Sequence, residues 1–155
     1  MPAVFMLTSS AFSEGTRLPD RHTCSGEDLS PPLAWSGAPK GTQSFALIVE
    51  DPDAPSGTFV HWVLYNLPAT LTSLPEGVPQ NEQLDSGAYQ GVSGFGSIGY
   101  RGPCPPPGKP HRYFFILRAL DNTLAPQPRM TKAQLGKVMQ GHVLAEAHLM
   151  GTYSR

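Results

Sequence analysis

Charge is scarce in this sequence. Asp, Glu, Lys and Arg make up 15% of its 155 residues and nearly cancel, leaving a net charge of -1. There is no basic stripe for nucleic acid and no polybasic segment for an anionic lipid surface. Long hydrophobic runs are also missing. The N-terminal MPAVFMLTSSAFSEG holds a five-residue apolar run without a positive segment before it, which makes a poor signal peptide and is far too short to span a bilayer. Cytoplasmic residence is the default expectation, with no integral membrane segment. Cysteine is limited to Cys24 and Cys104, too few and too far apart for a zinc site. They read as a reduced pair, a disulfide or two unrelated thiols, and a cytoplasmic setting favours the reduced form. No internal repeat and no G-x-S-x-G nucleophile elbow occurs.

Glycine and proline, 16 and 17 residues, are plentiful but stay below the rough 25–30% that marks disordered composition. They predict long ordered loops. Short apolar runs rich in β-branched and aromatic residues recur between the Gly/Pro clusters, which argues a mainly β fold of the sandwich type. The length suits one domain over residues 1–155 with a single core.

Strands are expected at 3–8, around Leu33 and Trp35, at 43–50, at 59–67 and at 111–120. The linker DPDAPSGT, with two prolines, a glycine and two aspartates, reads as a tightly shaped turn. Residues 70–99 read as surface loops with one short strand. In the C-terminal part, Thr131 and Gln134 fit a capping box, and Leu135, Val138, Met139, Val143 and Ala147 follow a helical spacing. Gly136 and Gly141 weaken that helix, so two short helices compete with one long one, and 151–155 returns as a short strand.

Three polar residues stand where apolar ones belong. In Gln43–Asp51, Phe45, Leu47, Val49 and Asp51 share one strand face, because side chains alternate across a strand. His61 interrupts FVHWVLYNL, which is apolar on both faces. His111 opens the row His111, Tyr113, Phe115, Leu117, Ala119. Ionisable groups in such places cost free energy unless they are paired or used, and titratable groups of this kind gather at functional sites. Asp51, His61 and His111 are therefore expected to share a site.

Two motifs tempt without holding. GFGSIG at 94–99 matches a dinucleotide fingerprint, but YRGPCPPPG follows it, and such a proline run cannot form the helix that would hold a pyrophosphate. GPCPPPGKP at 102–110 has P-x-x-P spacing, yet it leads straight into a buried strand and reads as a rigid structural loop. No H-x-D or H-E-x-x-H pair sets two metal ligands on one element, so neither a metal nor a cofactor is expected.

Asp51-Pro-Asp-Ala-Pro55, the His61 strand ending Asn66-Leu-Pro68, and Gly102-Pro-Cys-Pro-Pro-Pro-Gly108 followed by His111-Arg-Tyr113 resemble the phosphatidylethanolamine-binding proteins, also called Raf kinase inhibitor proteins, in their bacterial and archaeal branch. Thr23-Cys24-Ser-Gly26, Ser30-Pro-Pro-Leu33 with Trp35, and Gly141-His142-Val-Leu-Ala145 extend the resemblance over nearly the whole chain. It implies a sandwich of two antiparallel sheets with short C-terminal helices and cis peptide bonds before prolines in the site loops. It further implies a non-enzymatic pocket for phosphate, phosphoethanolamine or a similar anion. The ligand-binding residues it assigns are Asp51, Asp53, His61, Gly102, Pro103, His111 and Tyr113. The larger eukaryotic members carry a second histidine where this chain has Val60, and a longer loop after DPDAP. A small-anion pocket is thus implied rather than one for an intact phospholipid or a Raf-type kinase. A regulatory target such as a kinase or protease, a homodimer, and an approach of Cys24 to Cys104 are further implications.

Bottom-up, an anion needs donors. A protonated histidine paired with Asp51, the Tyr113 hydroxyl and backbone amides of the Gly/Pro loop would supply them. Anion affinity is then expected to fall above about pH 7 as histidine loses its proton. The competing reading is acid–base hydrolysis of a small phosphoester or ester by the same His/Asp groups.

Overall fold

A computed structural model describes residues 4–125 and 127–155. Its strands are β1 (Met6–Thr8), β2 (Leu33–Ser36), β3 (Ser44–Asp51), β4 (Phe59–Pro68), β5 (Ser73–Leu74), β6 (Tyr89–Gln90), β7 (His111–Leu120) and β8 (Val143–Tyr153). A 3₁₀ turn at Asp20–His22 and one α-helix, α1 (Lys132–Met139), complete the elements among the described residues. Residue 3, included in the expected first strand, lies outside the described residues.

Two antiparallel sheets result, β1-β2-β5 and β6-β4-β3-β7-β8. The larger sheet is apolar on both faces. One face, carrying Phe45, Leu47, Val49, Trp62, Leu64, Phe115 and Leu117, packs against Leu7, Leu33, Trp35 and Leu74 of the smaller sheet. The other face, with Ala46, Ile48, Val63 and Tyr65, packs against Leu135 and Met139 of α1. Burial on both sides explains why β3 and β4 read as nearly continuous apolar runs.

The C-terminal part departs from the sequence expectation. The Thr131–Gln134 capping box is formed, but the helix ends at Met139, and Val143 and Ala147 belong to the eleven-residue strand β8. A spacing of four is also a multiple of the strand period of two, so it fits an edge strand whose buried face carries Ala147, Leu149 and Tyr153. Residues 70–99 contribute two short strands, β5 and β6, rather than one. GFGSIG forms turns, with Gly96 at φ 77° and a bridge between Val92 and Ile98, and no helix follows it. All peptide bonds among the described residues are trans, which corrects the expected cis prolines. Cys24 and Cys104 form a disulfide, which replaces the favoured reduced reading. The physical reason is proximity: the Cys24 amide donates to the Pro103 carbonyl at 3.1 Å, so the two loops are already joined beside the sulfurs.

Candidate functional site at one end of the larger sheet

Antiparallel order brings the three polar residues together. β3 runs against both β4 and β7, so the end of β3 at Asp51 meets the starts of β4 and β7, where His61 and His111 lie. A β-bulge finishes the placement of His61. Val49 pairs with Trp62 while Glu50 pairs with Val60, which leaves His61 as the extra residue of β4. Bulges of this kind re-aim a side chain. Here Val60 packs on the α1 side and Trp62 on the sandwich side, and His61 is turned into the cavity at the sheet end.

That cavity has a volume of about 180 Å³ and is lined by Asp51, His61, His111 and Tyr113 at its polar end. Phe59, Phe95, Ala54 and Pro55 form one wall, and Cys104, Pro105 and Pro106 the other. His111 donates from Nδ1 to Asp51 Oδ2 at 2.7 Å. The Asp51 side chain is 4% exposed and that of His111 13%, so this pair is largely shielded from solvent. Asp51 Oδ1 accepts from the Asp53 amide at 2.7 Å, an Asx turn that shapes the DPDAP loop.

His61 is held separately. Its Nδ1 donates to the Arg101 carbonyl at 2.7 Å, and its ring meets Phe59, Phe95 and Tyr113 edge-on at centroid distances of 5.3, 5.4 and 5.3 Å. Burial lowers its pKa, outweighing the Arg101 carbonyl and the Asp51 and Asp28 charges that act to raise it. His61 is therefore not the protonated histidine that an anion would need, because desolvation disfavours the imidazolium. Tyr113 is pushed up, first by burial and then by the Asp51 charge, and stays a neutral hydroxyl.

Four of the seven assigned ligand residues, Asp51, His61, His111 and Tyr113, line the cavity. Asp53, Gly102 and Pro103 are outside that lining. The Asp53 carboxylate takes Nε and Nη2 of Arg112, each at 2.9 Å, together with the Arg112 amide, and these bonds lower its pKa to about 2. It ties the DPDAP loop to the start of β7. Gly102 has its amide on Asp28 Oδ1 at 2.8 Å, and a Cβ there would lie 2.0 Å from the His22 carbonyl oxygen. Pro103 has no amide proton to give. Gly102 and Pro103 thus give no amide to the cavity, and the loop contributes Cys104, Pro105 and Pro106 to its wall.

Sequence reasoning missed the aromatic and proline lining. Phe95 is the clearest case: it is 38% exposed, lies 4.8 Å from Phe59 and carries the Arg101 guanidinium over its ring at 4.7 Å. Its signal was a single aromatic residue within a glycine turn. Phe59, at the opening of the His61 strand, was equally visible.

The family model of the phosphatidylethanolamine-binding proteins matches residues 8–154. A UPF0098 protein of Methanothermobacter thermautotrophicus is 50% identical over 149 residues, covering 96% of this chain and 98% of its own length. Among solved structures, a phosphatidylethanolamine-binding protein homologue of Chlamydia trachomatis superposes with a TM-score of 0.91 at 43% identity, over 100% of this chain and 99% of that one. YbcL of Escherichia coli, described as a member of the mammalian family, gives a TM-score of 0.90 at 38% identity over 97% and 98% of the two chains. The chain belongs to the phosphatidylethanolamine-binding protein family.

Proposed function

Starting from a member of the phosphatidylethanolamine-binding family, we propose that this chain is a non-enzymatic receptor for a small anion of the phosphate or phosphoethanolamine type. The observation that carries the reading is the Asp51–His111 pair: a buried carboxylate 2.7 Å from Nδ1 of a histidine that borders a cavity of about 180 Å³. Asp51 accepts from Nδ1 and fixes the ring, which leaves Nε2 for a ligand, and in the imidazolium form an Nε2–H is a charged donor. The volume suits a phosphate with a short substituent, and the Phe59, Phe95 and proline walls suit an apolar or cationic tail.

Calorimetric titration with phosphate and O-phosphoethanolamine, at about pH 6 and about pH 8, tests it beside an Asp51→Ala, His111→Ala double variant. Saturable binding that weakens with pH and disappears in the variant is expected. An absence of binding under every condition sinks the receptor reading. A phosphorylated side chain of a kinase or protease target is the macromolecular form of such a ligand, and a stoichiometric complex is its signature. Sedimentation of the same sample reads out a homodimer.

A second reading, acid–base hydrolysis of a small ester, draws on the same Asp51–His111 pair. In it the pair would activate a water as the nucleophile, the Cys104 sulfur being held in the disulfide. Turnover of a phosphoester that is lost in His111→Ala would select it.

No helix among the described residues is long and apolar enough to cross a membrane. Cytoplasmic residence meets one opposing observation, a disulfide between two solvent-exposed cysteines, since most cytosolic thiols are kept reduced. Differential alkylation of the protein directly from cells decides between the two.

A further inference from the structure

At the end of the larger sheet opposite Asp51, the start of β3, the end of β4 and the turn after β7 border another cavity, of about 490 Å³. β3 has eight residues, so its two ends are about 23 Å apart, and the two cavities share no lining residue. Buried groups fasten one part of the wall. Asn66 Nδ2 donates to the Leu124 carbonyl and Asn66 Oδ1 accepts from the Leu124 amide, each at 2.9 Å. The Ser44 hydroxyl donates to the Asn122 carbonyl at 2.7 Å. Asn66 does this with φ at 58°, a left-handed backbone within a strand that the surrounding contacts must hold in place. The stretch from Gln83 to Tyr89 forms more of the wall, closed by the Leu84 amide on the Ala88 carbonyl at 2.8 Å. The cavity is thus largely pre-formed, and its volume lies in the range of small-molecule sites.

Its chemistry differs from that of the Asp51 cavity. Among the described residues that line it there is no Asp, Glu, Lys, Arg or His, so a charged ligand finds no counter-ion. What the lining offers is neutral: the amides of Gln43 and Gln83 and the hydroxyls of Thr70, Thr123 and Tyr89. Side-chain amides and hydroxyls both donate and accept. Gln43, Thr70, Gln83 and Thr123 are exposed, and none of these side chains has a hydrogen-bond partner among the described residues. Tyr89 stacks one ring face on the buried Tyr65, with centroids 5.8 Å apart and planes at 14°, and brings the rest of a half-buried ring to the cavity. Neighbouring hydroxyls on a ring whose C–H groups are weakly apolar complement this lining. We infer that the cavity is a second binding site, for an uncharged saccharide. The Gln43 and Gln83 amides take its hydroxyls, and the Tyr89 ring packs on its C–H face. A free sugar and the glycan of a larger molecule share that chemistry.

Amide-resolved NMR of the full chain, titrated with glucose, maltose, cellobiose, N,N′-diacetylchitobiose and glucuronate, tests it. With at least one neutral disaccharide, saturable shifts are expected at Gln43, Ser44, Thr70, Thr123 and the stretch from Gln83 to Tyr89, and none at Asp51, His61 or His111. Glucuronate should bind no tighter than glucose, because the lining holds no cation for its carboxylate. Longer oligomers of the sugar that binds separate the two sources: affinity that stops rising at the disaccharide marks a free sugar, and affinity that keeps rising marks a glycan chain. In the Gln43→Ala, Gln83→Ala double variant, affinity should fall at least about tenfold at unchanged Tm, since both side chains are exposed. Should that variant fail to fold, the wild-type mapping still decides. The site is overturned by an absence of saturable shifts with every saccharide, by shifts centred on the Asp51 end, by a preference for glucuronate, or by full affinity in the double variant.

Discussion

Asp51 uses its two carboxylate oxygens on two different tasks, one accepting from His111 Nδ1 and the other from the Asp53 amide, both at 2.7 Å. The same side chain thus sets the histidine and the loop that walls the cavity. Asp51→Asn keeps the volume but replaces the carboxylate that accepts from His111 Nδ1 with a neutral amide. Anion affinity is expected to fall by at least about tenfold. Calorimetric titration with phosphate checks it, and an unchanged affinity would show that Asp51 is only a loop former.

Burial governs the electrostatics of His61. Burial holds its folded pKa below the ordinary histidine value, so the unfolded chain binds a proton that the folded chain resists. The stability this neutral ring permits is complete above about pH 6.5, and is lost progressively as pH falls below that value. Nitrogen NMR of the imidazoles should show neutral His61 as the Nδ1–H tautomer, with its protonation below the ordinary histidine range. Protonation of His61 at or above the ordinary histidine value would contradict the burial argument.

Asp53 looks like a ligand in the sequence and acts as a brace in the structure. Its pKa of about 2 is set first by the Arg112 side chain and then by the Arg112 amide. A depressed carboxyl pKa contributes stability that is present above the unfolded value near 4 and lost as pH falls through about 2. Asp53→Asn should therefore lower Tm by a few degrees at neutral pH and flatten the dependence of Tm on pH across that acid window. Thermal unfolding followed by circular dichroism checks both, and anion affinity in this variant should change less than in Asp51→Asn.

The central strands and the polar residues at their ends were legible because they contradict their surroundings. Asp51 breaks the row of Phe45, Leu47 and Val49, and an antiparallel neighbour must bring the starts of β4 and β7 to it. The bulge at His61 was not legible. With apolar residues on both faces of β4, a one-residue insertion leaves the hydrophobic pattern unchanged, so nothing in the sequence says which way His61 points. The strand β8 was hidden by a spacing common to both periods, and β5 and β6 by their length of two residues. The roles of Asp53 and Gly102 depend on partners 59 and 74 residues away, which local pattern cannot supply.

Gly102 lies against the chain of another loop. A Cβ at this position would sit 2.0 Å from the His22 carbonyl oxygen and 2.7 Å from Asp28 Oδ1, and neither the backbone contact nor the Gly102 amide bond to Asp28 can survive it unchanged. Gly102→Ala is expected to cost about 1–3 kcal/mol. It should also displace the Arg101 carbonyl that orients His61. Urea unfolding reads the first effect and the His61 tautomer the second.

The Cys24–Cys104 disulfide fastens the proline wall of the cavity to the loop after the 3₁₀ turn. It joins residues 80 apart, and in the chain-entropy account closing a loop of that length stabilises the fold by about 4.5 kcal/mol. The wall has other ties: the Cys24 amide on the Pro103 carbonyl, the Gly102 amide on Asp28, and Arg155 Nε on the Pro105 carbonyl at 2.7 Å. Reduction by a dithiol should therefore leave the protein folded but shift its urea midpoint downward, while the wall carrying Cys104, Pro105 and Pro106 gains freedom. Anion affinity in the reduced protein is expected to fall several-fold, because a wall that must be ordered on binding subtracts its ordering entropy from the binding free energy. The Cys24→Ser, Cys104→Ser double variant should match the reduced protein in both measurements. If it unfolds earlier yet binds phosphate as tightly as the oxidised wild type, the disulfide stabilises the fold without shaping the site.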